Sequence, residues 1–163
     1  MINVTPGLEE IKQRFDRAAQ GKEDAKHLFE LLSSMKLNPN QRLYAWWGAT
    51  ETLLAKEAMF PGTKLNLLDK GMEKINATLK KFPADPEIIL LRFMIESQVP
   101  AFLGRSKNLD NDKTFLLKNL QQKQQARDCA FVLETAPKLK YAGTLNKKEE
   151  ALLETYVLNC IKK

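Results

Sequence analysis

The stretch LLDKGMEKINATLKKFPADPEIILLRF, Leu67–Phe93, decides the fold of this chain. Leu68, Met72, Ile75 and Leu79 follow one another at intervals of three and four, which puts them on one stripe of an amphipathic helix from about Lys64 to Phe82. Pro83 ends that helix, and Asp85-Pro86 then places a capping side chain before a proline, as at the N-cap and N1 positions of the next one. The following run, PEIILLRFMIESQ (Pro86–Gln98), is apolar almost all round at Ile88, Ile89, Leu91, Phe93, Met94 and Ile95. Its β-branched residues would suit a strand, but the Asp-Pro-Glu start and the lack of alternation predict a helix covered by neighbours.

The same punctuation recurs outward from here. Thr5-Pro6 and Asn38-Pro39 mark two further helix starts, Asn146 with Glu149 spells a capping box, Thr63 after Pro61-Gly62 can cap another helix, and Gly21 separates the first two. Leu8, Ile11, Phe15 and Ala18 form one stripe, and Ala25, Leu28, Leu32 and Met35 a second, predicting a short helical hairpin. Leu43, Trp46, Trp47, Thr50, Leu54 and Ala58 line a helix from about Pro39 to Met59.

Beyond the central run, VPAFLGRSKNLDNDK (Val99–Lys113) reads as a corner. Pro100 stops the preceding helix, Phe102 and Leu103 are expected to plug the core, Gly104 permits a positive φ, and Asn108 or Asp110 can cap the next helix. Arg105-Ser106-Lys107 forms a polar tip that no capping rule requires. From Asp112 to Ala136 the residues favour helix, yet QQKQQARD (Gln121–Asp128) offers only Ala126 to a core, so a break is expected before CAFVLETA, and Pro137 is expected to end that helix. Leu152, Leu153, Tyr156, Val157 and Cys160 define a last amphipathic helix, Lys147–Ile161.

Seven to eight helices with short links predict an all-α chain, 1–163 as a single domain, arranged as helices in antiparallel pairs or an irregular bundle. Its 163 residues at 44% hydrophobic content suffice to bury roughly two-thirds of the unfolded surface without disulfides or metals. Cys129 and Cys160 form no CxxC pair and read as buried thiols. No apolar run of about 18 residues is present, and MINVTPGLEEIKQRF has no signal-peptide pattern, so the sequence as it stands predicts a cytoplasmic protein without a membrane span, or an exported one if a leader has been removed.

Residues Leu67–Phe93 resemble the second helix of a tetratricopeptide repeat followed by the start of the next repeat, through a small residue early in the helix, Phe-Pro at its end and Asp-Pro-Glu opening its successor. Tyr44-Ala45-Trp46-Trp47-Gly48 is similar only in flavour to the repeat's first-helix signature, and no strict 34-residue period is visible. The resemblance implies a TPR-like, right-handed helical array. YAWWGATETLLAK, KFPADPEIILLRF and PAFLGRSKNLDNDK together also resemble uncharacterised all-helical proteins of Bacteroidetes-type bacteria, which implies no activity. Similar proteins include some with export leaders.

No GxGxxG, GxxxxGK[ST], GxSxG or HExxH motif occurs. His27 has Asp24 and Glu23 at helical spacing behind it, a pattern more common for a surface histidine with charge partners than for a metal ligand or base. Asp110-Asn111-Asp112 lacks the other ligands of a calcium loop. The expectation is no enzyme and no cofactor. The formal charge of +6 is modest, and the lysines that dominate its C-terminal part, Lys138, Lys140, Lys147, Lys148, Lys162 and Lys163 around Tyr141, read as a solvated surface rather than a nucleic-acid site. Paired helices offer concave faces to peptides, so the expected role is a non-catalytic protein-protein interaction or scaffold module, with a nucleic-acid-binding or small-ligand-binding helical domain as the alternative. Candidate partner-binding residues are Tyr44, Trp46, Trp47, Arg92, Arg105 and Lys107.

Overall fold

The computed structural model describes residues 5–162, and Lys163 of the basic cluster lies outside them. Among the described residues the elements are α1 (Leu8–Ala19), α2 (Ala25–Ser34), α3 (Leu43–Glu57), α4 (Pro61–Lys81), α5 (Pro86–Ser97), a 3-10 turn (Ala101–Leu103), α6 (Leu109–Gln125), α7 (Cys129–Tyr141) and α8 (Lys147–Ile161), with no strand. The protein is all-α. It divides into two compact units, Met1–Ile88 and Ile89–Lys163, the boundary falling inside α5.

In the first unit α3 is the central element. Ala45, Trp46, Gly48, Ala49, Thr50, Glu51, Thr52, Leu53 and Ala55 are all buried, because α1, α2 and α4 each pack on it. Its small residues let α4 approach closely: Gly48 and Gly71 face each other at the crossing. Thr50, Thr52 and Thr78 satisfy their buried hydroxyls by donating to the carbonyls of Trp46, Ala49 and Lys74 at 2.8, 2.7 and 2.9 Å. Lys74 forms an ion pair with buried Glu51 at 2.5 Å.

The second unit holds three mutually packed helices. Lys113 of α6 meets Glu149 at the start of α8 and Gln124 meets Asn159 at its end, so α6 and α8 run parallel. A disulfide joins Cys129, the first residue of α7, to Cys160 near the end of α8, so α7 runs antiparallel to α8. Leu116, Leu120, Val132, Leu139 and Leu153 are buried within this unit.

Several starts and stops differ from the sequence reading. Asp85 caps α5 as expected, its Oδ1 accepting from the amides of Glu87 and Ile88, and the capping box of Asn146 and Glu149 opens α8. Thr5-Pro6 does not cap α1, which begins after Gly7. Asn38 closes a local turn instead, its side chain accepting from the Asn40 amide at 3.0 Å, and α3 starts only at Leu43. Thr63 lies inside the first turn of α4, since Pro61 already supplies the helical φ at the first position. The expected break falls at residues 126–128, with Arg127 at φ 56°. Pro137 does not end α7: it sits on the exposed side, and the buried row Val132, Thr135, Ala136 and Leu139 carries the helix past the missing amide to Tyr141. The cysteines are not thiols but the disulfide above, a pairing that depends on the antiparallel course of α7 and α8. Phe102 does not plug the core, since the 3-10 turn leaves it 87% exposed.

Candidate functional site

The two tryptophans divide, as neighbours on a helix must. Trp46 points inward, 7% exposed, its ring edge-on to Phe15 at 5.3 Å. Trp47 lies at the boundary between Phe29 of α2 and Tyr44 of α3, with centroid distances of 6.1 and 5.6 Å. The Lys74 ammonium stands 4.7 Å from the Trp47 centroid while pairing with Glu51, so the cation over the ring is already neutralised. The Trp47 Nε1 is buried without a hydrogen-bond partner among the described residues. This ledge offers the π surface of Trp47 and Tyr44.

The other three candidates belong to the second unit and take separate partners. Arg92 donates from Nε and Nη2 to the two carboxylate oxygens of Asp112, both at 2.7 Å, a bidentate pair. Arg105 Nη1 donates to the Leu103 carbonyl at 3.0 Å, closing the turn around Gly104, whose φ is 64°. Lys107 is exposed.

Glu96, 2% exposed, organises this corner. Its carboxylate accepts from the Asn108 amide at 2.9 Å and the Asn108 Nδ2 at 2.8 Å, while Ser106 Oγ donates to the Glu96 carbonyl at 2.9 Å. Asn108 therefore occupies the cap position of α6 without capping it. The polar tip that no capping rule explained is tied by Arg105 and Ser106 to its own turn and to α5.

Other sequence candidates do not assemble into a centre. His27 is exposed, 3.7 Å from Asp24 Oδ2, and the other oxygen of Asp24 caps α2. Glu23 turns away to Arg14 and Arg17 at 2.6 and 2.9 Å. Burial works to raise the Glu23 carboxyl pKa, but the two guanidiniums outweigh it and the result is below the ordinary value. Among the described residues no group of three or more His, Cys, Asp or Glu side chains could hold a metal ion. An open notch of about 360 Å³ is lined by Arg42, Phe82, Pro83, Ala84, Asp85 and Pro86, but Arg42 is engaged there, stacked 4.6 Å over Phe82 and paired with Asp85 at 2.5 Å.

Met59 and Phe60, in the link between α3 and α4, are 88% and 70% exposed. Phe60 is the N-cap residue of α4, and no side chain caps that helix. The sequence signal was available: AMFPGTK puts two large apolar residues where Ser, Thr, Asp or Asn is favoured. Among the described lysines of the basic surface, Lys138 and Lys140 pair with Glu134 and Glu154 at 3.3 and 3.1 Å. No described helix is long and apolar enough to cross a membrane. Compared with known proteins, the chain matches no family model, no curated protein and no solved structure.

Proposed function

We propose that the protein is a non-catalytic interaction module that docks a protein or peptide partner through the Met59–Phe60 tip of the α3–α4 hairpin. The observation that carries this reading is the exposure of two consecutive large apolar side chains at a helix start where a small polar residue would stabilise the fold. Tyr44 and Trp47 are half-buried in the half of α3 away from this tip, and Trp46 lies in the core, so the proposed contact rests on Met59 and Phe60. A tetratricopeptide-like ancestry of α4 and α5 is part of this reading, supported by the Phe82-Pro83 ending and the Asp85 cap.

The nucleic-acid alternative draws less support, since carboxylates interleave the C-terminal lysines. The disulfide favours the exported alternative over the cytoplasmic one, because such bonds persist in oxidising compartments. Affinity capture from the source cells with the native chain and with Met59→Ser/Phe60→Ser, followed by mass spectrometry, tests the proposal. A partner protein retained by the first and lost by the second is expected. Equal capture by both would overturn the assignment of the tip.

A further inference from the structure

The Cys129–Cys160 disulfide sits where the noncovalent support of the second unit is thinnest. Helix α8 buries only Leu153 and Tyr156. Past Tyr156, Leu158, Asn159 and Ile161 are exposed, and the last turn reaches α6 through a hydrogen bond between exposed side chains, Asn159 Nδ2 to Gln124 Oε1 at 3.0 Å. At the other end of the bond, Arg127 holds a left-handed φ of 56°, a conformation unfavourable for a residue with a side chain. Asp128, at the cap position of α7, does not cap it: its carboxylate pairs with Lys123 at 2.7 Å. Both cysteines are partly exposed.

We infer that Cys129–Cys160 is a redox-operated lock. Reduction by a dithiol frees the last turn of α8 and the α6–α7 turn, while the three helices stay packed on Leu116, Leu120, Val132, Leu139 and Leu153. One thiolate of the dithiol attacks a sulfur of the bond, which breaks and releases the other cysteine as a thiolate. The second thiolate of the dithiol then attacks the mixed disulfide. The protein gains two electrons and two protons as Cys129 and Cys160 thiols, and the dithiol leaves as its own disulfide. The inference stands independently of the proposed docking tip.

Amide hydrogen exchange on the full chain, with and without dithiothreitol, tests it. Exchange about tenfold faster or more at residues 126–129 and 157–161 is expected on reduction, with Leu116 and Leu120 unchanged. The Cys129→Ser/Cys160→Ser double variant should show the reduced pattern with or without dithiothreitol. Unchanged rates on reduction would overturn the lock, and so would acceleration throughout α6, α7 and α8, which would make the bond a global staple instead. A double variant that still responds to dithiothreitol would also overturn it.

Discussion

Gly48 and Gly71 meet so closely that a Cβ added to either would collide with the other's carbonyl oxygen. A Cβ on Gly71 would also lie 2.5 Å from Thr52 Cγ2, and one on Gly48 would lie 2.8 Å from the Lys74 Cβ. Backbone atoms cannot rotate out of the way, so the two helices must separate. Gly48→Ala or Gly71→Ala is expected to cost about 2–3 kcal/mol, read as a lowered urea midpoint. Gly62→Ala, where nothing lies within 4 Å of the new Cβ, is the matched control and should be neutral or slightly stabilising.

The pairing of Arg92 with Asp112 ties α5 to α6 through two side chains that are 17% and 5% exposed. Removing one partner leaves the other charge largely desolvated. Asp112→Ala should lower stability by about 3 kcal/mol, and Arg92→Lys should fail to restore the loss of the fork, since an ammonium cannot bond both oxygens in parallel. Chemical denaturation of each variant measures both effects.

Acid should weaken the start of α8. The Asn146 amide holds the Glu149 carboxyl below its ordinary 4.5; burial opposes this, and the Lys113 ammonium adds to it. The folded state therefore binds fewer protons than the unfolded one, so the stabilisation is complete above pH 4.5 and is lost as the pH falls below it. Glu149→Gln keeps an acceptor for the Asn146 amide but neither charge nor titration. It should cost about 1 kcal/mol at neutral pH and give a shallower fall in urea midpoint between about pH 5 and pH 3.

Phe60→Ser should move stability and binding in opposite directions. The residue has extended backbone angles, φ −97° and ψ 134°, suited to an N-cap. The hydroxyl oxygen of a serine there accepts from a first-turn amide of α4, raising stability by about 1 kcal/mol. The same change removes the ring proposed to dock the partner. Thermal melting paired with partner capture checks both halves, and a variant that gained neither stability nor a binding defect would contradict the account of this position.

How legible these features were depends on how local their causes are. The capping box at Asn146, the cap at Asp85 and the break near Ala126 rest on neighbours a few residues away, and all three appear as read. Asn38-Pro39 misled because an Asn side chain closes a turn as readily as it caps a helix. Pro137 and Phe102 misled because the outcome turns on which side of each element is covered. The close approach of Gly48 and Gly71 is set by a residue on a different helix, so it is not legible from either segment alone. At the candidate corner the composition of Arg105-Ser106-Lys107 was visible, but Glu96, whose carbonyl holds Ser106 and whose carboxylate holds Asn108, lies ten and twelve residues away and is brought there by the turn.

The tightest crossing in the first unit joins helices that are neighbours in the chain, separated only by residues 58–60. Closing so short a link costs little chain entropy, so the α3–α4 hairpin can form before α1 and α2 arrive. Folding of this unit is then expected to nucleate at the glycine crossing, and a bulky residue there would slow the folding rate itself rather than merely hasten unfolding.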